Sequence, residues 1–253
     1  MRVSSYIICA TPRSGSTLLC DLLASTGLAG KPHSYYRNED ASYWAESWGV
    51  PQPHQLDNSE FEKAYLSAMI REGTAGTGVF GLRIMWSSMS DASERLDAKA
   101  GDHADFAARF AKAFEATLYI HLSRQNKLAQ AISIIRAEQN GLWRRAADGT
   151  ERERTASPRA PVYDADRVAE LLNELQNDDA AWTGFFSKRG INPLRLTYET
   201  LAANPEKTLA DIFSALGQDP KANGRMLVQT SQLANAESLE WAERYRLETR
   251  SHP

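Results

Sequence analysis

Apolar residues fall along this chain in short, nearly unbroken runs, separated by longer stretches with helical spacing. Tyr6 to Ala10, Gly78 to Trp86, Thr117 to Leu122 and Pro193 to Thr197 are the runs. Apolar stretches of this length without polar alternation predict strands buried on both faces. Between them lie amphipathic segments. Ser16 to Ser25 predicts a helix stopped near Gly27. Ser59-x-x-Glu62 has the form of a capping box ahead of Phe61, Tyr65 and Met69, which share one helical face. Asp102 to Phe114 carries Phe106, Phe110 and Phe114 at intervals of four, and Lys127 to Gln139 predicts another helix. Asp164 or Asp166 opens a long one, with Val168, Leu171, Leu172, Leu175 and Trp182 inward and an end near Gly190. Asn204-Pro205 is an N-cap followed by proline in the first turn, and Leu209, Ile212, Phe213 and Leu216 follow at core spacing. Ser238 to Glu248 closes the series. Strands alternating with helices predict an α/β fold, a central parallel sheet with helices on both faces. Ligands of such sheets sit at the carboxyl ends of the strands, so the loops after Ala10, Trp86 and Leu122 should converge there.

Two segments depart from the pattern. Gly30 to Pro53 reads as loop, rich in aromatics (Tyr35, Tyr36, Tyr43, Trp44). Trp143 to Pro161 holds Arg144, Arg145, Arg152, Arg154 and Arg159 against three acids, with turn residues among them, and reads as a mobile surface segment. No internal repeat divides the chain, so 1–253 reads as one domain.

The chemistry concentrates in the first loop. Thr11-Pro12-Arg13-Ser14-Gly15-Ser16-Thr17 joins a buried strand to a helix start, a geometry that turns backbone N–H groups and a helix N-terminus toward an anion. It suggests a P-loop-type three-layer sandwich. A Walker loop ends in Gly-Lys-Ser/Thr, whereas the single cation here is Arg13, ahead of the glycine. The loop therefore reads as a phosphate cradle for a ligand other than ATP or GTP. The alternative is a plain strand-to-helix turn with an N-cap serine. A second group, Arg124 leaving the third strand and Ser133 on the following helix, can clasp a phosphate from two sides, or can be a solvated arginine and a surface serine.

The 253 residues, 42% hydrophobic and 24% charged, suit a globular chain with ample core. A net charge of −3 excludes the broad basic surface of a nucleic-acid binder. No apolar run is long enough to cross a membrane, and no leader precedes the first strand, so a cytoplasmic location is the expectation. Cys9 and Cys20 fall where core packing is expected, and no Cys/His grouping has metal-ligand spacing.

Taken together, the two constellations resemble the sulfotransferases that use 3′-phosphoadenosine 5′-phosphosulfate (PAPS), and most closely their bacterial trehalose 2-sulfotransferase-like branch. Pro12-Arg-Ser-Gly-Ser-Thr-Leu-Leu19 is similar to the 5′-phosphosulfate loop of that family. Arg124 and Ser133 match its 3′-phosphate-binding pair. Gly27-Leu-Ala-Gly-Lys-Pro32, Gly81-Leu-Arg-Ile-Met-Trp86, Gln130-Ala-Ile-Ser133, Tyr198-Glu-Thr-Leu201, Asn204-Pro-Glu206 and Trp241-Ala-Glu-Arg-Tyr-Arg246 extend the likeness over most of the chain. The resemblance implies a PAPS donor, no metal, a hydroxyl acceptor on a small carbohydrate or glycolipid, and a homodimer. It implies cofactor contacts from Pro12, Arg13, Ser14, Gly15, Ser16, Thr17, Arg124 and Ser133, with Arg13 stabilising the leaving phosphate. Arg83 matches a cationic position of the branch, or else forms a structural ion pair. Where the branch has a glutamate after its Gly-x-Pro turn, this chain has Ser34. Serine is a poor proton acceptor, so His33 beside it is the expected general base, with Glu39 and Asp40 in the same loop behind it.

On the acceptor side, Ser34, Tyr35, Tyr36 and Glu39 are the expected contacts, with Trp86 and Trp143 as further aromatic faces. His121, flanked by apolar residues, reads as a satisfied core histidine. His54, His103 and His252 carry no signal. Arg244 and Arg246 either reach the cofactor or form a solvated helix face. Two other functions remain open at this level: a P-loop-type kinase or nucleotide hydrolase, and a catalytically degenerate nucleotide-binding domain.

Overall fold

The computed structural model describes residues 5–51, 57–100, 106–114, 117–146, 148–219 and 236–250. In chain order the elements are β1 (Ser5–Ala10), α1 (Ser16–Ser25), α2 (Ala41–Ser47), α3 (Asn58–Thr74), β2 (Phe80–Met85), α4 (Met89–Ala100), α5 (Phe106–Ala113) and β3 (Thr117–Ser123). There follow α6 (Lys127–Asn140), β4 (Leu142–Arg145), β5 (Glu151–Arg154), α7 (Ala165–Lys188), β6 (Leu194–Thr197), α8 (Tyr198–Ala203), α9 (Pro205–Ala215) and α10 (Ala236–Arg250).

Four strands form a parallel sheet in the order β2-β1-β3-β6. All six residues of β1 are buried, and its side chains alternate between two cores as the strand period requires. Ile7 and Cys9 join a cluster built with α2, α3, α4 and α7. Tyr6, Ile8 and Ala10 join a second one built with α1, α8 and α9. The sheet is thus covered on both faces, as its unbroken apolar runs predict. A third cluster packs α6, α7 and α10 together through Ile132, Ile135, Val168, Leu171, Leu175 and Trp241.

The register fixes where a ligand can sit. Ala10 lies level with Met85 on one side and Leu122 on the other, so three strands end together. The fully buried Trp182 of α7 donates its indole N–H to the Ala10 carbonyl at 3.0 Å, which anchors the start of the first loop. A chain turn at Gly30 brings residues 31–34 to the outer edge of β2, where His33 bridges Leu82 in parallel fashion. Gly30 has φ +69°, and a Cβ there would stand 2.4 Å from the Gly73 carbonyl oxygen and 2.5 Å from that of Val79. Only glycine tolerates both demands.

Several expected elements differ. The segment expected to be irregular from Gly30 contains α2, whose Ala45, with Trp44 and Trp48, packs on the first core. Tertiary burial of those rings makes a helix of what has no sequence period. Helix α4 forms over a mostly polar stretch that carries no expected element. The capping box is formed by Asp57 with Glu60 rather than by Ser59 with Glu62: Asp57 accepts from the Glu60 N–H at 2.8 Å. Within 143–161 the chain forms regular structure, β4 and β5 pairing antiparallel. Asp102, His54, His103 and His252 lie outside the described residues.

Candidate active site

The first loop turns sharply between β1 and α1. Ser14 N–H donates to the Thr11 carbonyl at 3.3 Å. Gly15, at φ +85°, caps α1 without a side chain, and a Cβ there would lie 2.6 Å from the ring of Tyr198. We expect Gly15→Ala to deform the loop against that ring, costing about 1–3 kcal/mol of stability. Differential scanning beside wild type should show the loss as a Tm lowered by a few degrees.

Arg13 has φ +60°, a left-handed conformation that costs a residue with a side chain about 1–2 kcal/mol. Its contacts hold it there. Nε donates to Ser133 Oγ at 2.9 Å, Nη1 donates to the Trp143 carbonyl at 2.6 Å, and its own carbonyl accepts from Arg124 Nη1 at 3.2 Å. Gln130 braces the same turn, its Nε2 donating to Thr11 Oγ1 at 2.9 Å and to the Pro12 carbonyl at 2.6 Å. The expected cradle residues Pro12 to Thr17 and the expected clasp residues Arg124 and Ser133 therefore come together around one arginine. The Arg124 guanidinium also lies over the Tyr198 ring, 4.6 Å from its centroid.

This cluster is electrostatically incomplete. Burial lowers the Arg13 pKa, the neighbouring charge of Arg124 lowers it further, and Glu153 and Tyr198 oppose the shift. Burial likewise lowers that of Arg124, against Tyr198 and Glu199. Ser14 Oγ and Arg124 Nε are buried with no hydrogen-bond partner. No acid occupies the first turn of α1. Two desolvated cations, an orphaned hydroxyl and open helix N–H groups fit an anion.

Arg83 joins the two sides of the site. From β2 its Nε donates to Ser34 Oγ and its Nη1 to Thr17 Oγ1, both at 2.8 Å. Both partners are hydroxyls, and among the described residues no carboxylate makes the structural ion pair that was its alternative. A guanidinium held by two neutral oxygens keeps its charge available to an anion between them.

Three acceptor-side expectations need correction. His33 is a poor base: burial, then the charges of Arg83, Arg144 and Arg37, push its pKa down to about 3. Its ring packs edge-on to Trp44 at 4.9 Å, and Nδ1 is buried without a partner. Tyr35 and Tyr36 are 4% and 2% exposed and belong to the first core, Tyr35 against Trp44 and Trp48, Tyr36 against Tyr65 and beneath Arg95. They have no free face for a sugar. Glu39 points to solvent, 3.4 Å from Arg37, with its side chain 73% exposed. Trp86 packs on Trp182 and Trp143 binds Thr155. Arg244 pairs with Glu248, away from the loop. His121 is buried as expected, with Nδ1 3.1 Å from Arg195 Nη1, but its Nε2 has no partner.

The depressed His33 pKa has a stability consequence. The unfolded chain binds this proton near the ordinary value of 6.5, the folded one near 3. The neutral ring therefore contributes fully above pH 6.5, and its contribution is lost as pH falls from there toward 3. His33→Gln should flatten part of the acid-side fall in Tm, which a differential-scanning series from pH 7 to about pH 4 checks.

The hairpin supplies contacts that no sequence motif announces. The Trp143 carbonyl holds Arg13, and Arg144 grips both carboxylate oxygens of Asp21 on α1 at 2.5 Å. Neither contact leaves a local signal, since the partners are more than a hundred residues apart. Tyr198 beneath Arg124 was visible only as part of a terminal motif.

The family model for Stf0 sulphotransferases matches residues 5–248. A trehalose 2-sulfotransferase of Mycobacterium tuberculosis (strain ATCC 35801 / TMC 107 / Erdman) is 29% identical over 269 residues, covering 97% of this chain and 96% of the relative. A trehalose 2-sulfotransferase of Mycolicibacterium smegmatis is 26% identical over 264 residues, covering 96% of this chain and 94% of the relative. Among solved structures, the sulfotransferase domain of the Synechococcus PCC 7002 olefin synthase aligns over 97% of this chain and 88% of its own, at 16% identity and a TM-score of 0.46.

Proposed function

The chain belongs to the Stf0 sulphotransferase family and is an enzyme of sulfuryl transfer, and we propose that its donor is PAPS and its acceptor a hydroxyl of a carbohydrate or glycolipid headgroup. The observation that carries the donor is the left-handed Arg13 collected with Arg124, Ser133 and the orphaned Ser14 hydroxyl at the carboxyl end of β1. In this reading the amides of residues 13–17 and the start of α1 bind the 5′-phosphosulfate, and Arg124 with Ser133 takes the 3′-phosphate. Arg13 meets the charge that develops on the leaving phosphate oxygen, and Arg83 faces the sulfuryl oxygens. Fixed donors aimed at developing charge need no reorganisation during the reaction, which is what makes them effective.

Direct displacement balances simply. An acceptor oxygen bonds to sulfur, the bond from sulfur to the 5′-phosphate oxygen breaks, and the electron pair leaves on that oxygen. The products are a sulfate ester, adenosine 3′,5′-bisphosphate and a proton. Against a kinase stands the loop itself, with Arg13 before its glycine and no lysine after it. The relatives' names make trehalose the first acceptor to test. Incubation with labelled PAPS and trehalose should yield a labelled sugar sulfate, at a rate that EDTA leaves unchanged. Intact donor, or phosphate transfer from ATP that requires Mg²⁺, would count against the proposal.

A further inference from the structure

The acceptor hydroxyl must give up a proton, and neither residue at its expected place can take it: Ser34 Oγ is occupied by Arg83, and His33 holds its proton too weakly. Resting on the sulfotransferase reading above, we propose that Glu153, on the hairpin strand β5, is the general base.

Its position carries the argument. Glu153 Oε1 lies 3.5 Å from Arg37 Nη1, and the Arg37 N–H donates to the Ser34 carbonyl at 3.2 Å, so the carboxylate faces the acceptor-side loop. The same hairpin reaches the donor loop: β4 supplies the carbonyl that holds Arg13. Arg144, opposite Glu153 in the β4–β5 register, is fixed to Asp21 of α1. The negative charge of Glu153 acts on Arg13, partly offsetting the effect of burial there. Glu153 is thus linked by contact to the loop assigned to the acceptor and by charge to the arginine assigned to the leaving group.

Three other acids nearby are committed through both oxygens. Asp21 has both oxygens on Arg144. Glu199 accepts from the Gln125 and Asn126 N–H groups. Glu62 is held in the core by Arg95 through both oxygens. Glu39 and Asp40 also pair with Arg37, but unlike Glu153 neither is among the charges acting on Arg13. Among the described residues Glu153 has a single ion pair through one oxygen, and its side chain is 44% exposed. Oε2 is left to receive a proton, in a position an incoming sugar can reach. In the balanced step, Glu153 takes the hydroxyl proton as the acceptor oxygen bonds to sulfur, and later releases it to solvent.

The test uses the full chain with PAPS and trehalose, release of adenosine 3′,5′-bisphosphate as the rate, and its calorimetric binding as the control. Glu153→Gln should bind the bisphosphate within about threefold of wild type while kcat falls about 10²- to 10⁴-fold. Glu153→Ala should fall as far and regain turnover when formate is added, because a small carboxylate can occupy the vacated space. Wild-type turnover in Glu153→Gln, or a fall in Glu153→Ala that formate does not relieve, would overturn the assignment. Failure of the underlying donor reading looks different: wild type itself would not bind the bisphosphate.

Discussion

Arg13→Gly is expected to lower kcat/KM for sulfuryl transfer by about 10³-fold or more while moving Tm by only a few degrees. Removing one preorganised donor at a developing negative charge costs about 10²- to 10³-fold, and Arg13 is both a donor and a full charge. The small thermal effect follows from its backbone. Glycine adopts φ +60° freely, so the substitution relieves about 1–2 kcal/mol of strain. That relief offsets the loss of the bonds to Ser133 and the Trp143 carbonyl, at about 0.5–1.5 kcal/mol each. Arg13→Lys keeps the charge but not the fork that reaches both partners, and should recover only part of the rate. Steady-state kinetics beside thermal melts separates the two quantities. A Tm collapse with residual activity in proportion would make Arg13 a structural residue.

Glu62→Ala has the largest expected effect on stability. Arg95 lies 4.3 Å above the Tyr65 ring and 5.1 Å from that of Tyr36, and its Nε donates to both Glu62 oxygens at 2.9 and 3.1 Å. Burial lowers its pKa, but the bond to Glu62 and the charge of Glu62 more than reverse this. Both residues are nearly buried, with side chains 11% and 10% exposed. Removing the carboxylate strands a cation in the core, at a cost of about 3–5 kcal/mol. The double variant Glu62→Leu/Arg95→Met removes both charges and should recover most of the loss. Urea midpoints of the three proteins check this. The pair joins α3 to α4, and Tyr65 donates to the Tyr35 carbonyl at 2.6 Å, so the single variant should also loosen the chain leading into the acceptor-side loop.

What could be read from the sequence depended on whether its cause was local. β1, the loop and α1 were legible together, because a buried apolar run, a small-residue turn and a helical period are all properties of contiguous residues. The same holds for α7, opened by Asp164 accepting from the Arg167 N–H, and for α9, capped by Asn204. The convergence of Arg13, Arg124 and Ser133 was legible only by resemblance, since spacing alone left Arg124 and Ser133 open to surface roles. The acceptor side failed for a physical reason. Whether His33 is a base or Tyr36 a sugar platform depends on how deeply each is buried, and that burial is set by α2, a helix without a sequence period, and by Arg95, which lies far along the chain. The hairpin failed similarly. Neither Leu142-Trp-Arg-Arg145 nor Glu151-Arg-Glu-Arg154 alternates apolar with polar residues, and contacts to Arg13 and Asp21 attach the hairpin to the loop and α1.

In the proposed function this loop, with Arg124 and Ser133, binds a 3′-phosphorylated adenine nucleotide rather than ATP. A ligand that binds only the folded state raises its stability, by about 2.7 kcal/mol at a hundred times Kd. The most direct measurement is therefore the thermal shift produced by adenosine 3′,5′-bisphosphate, compared with ATP plus Mg²⁺, in wild type and Arg124→Ala. The expected result is a clear shift with the bisphosphate, little with ATP, and loss of the first in the variant. A larger shift with ATP, or a bisphosphate shift that survives the loss of Arg124, would contradict it.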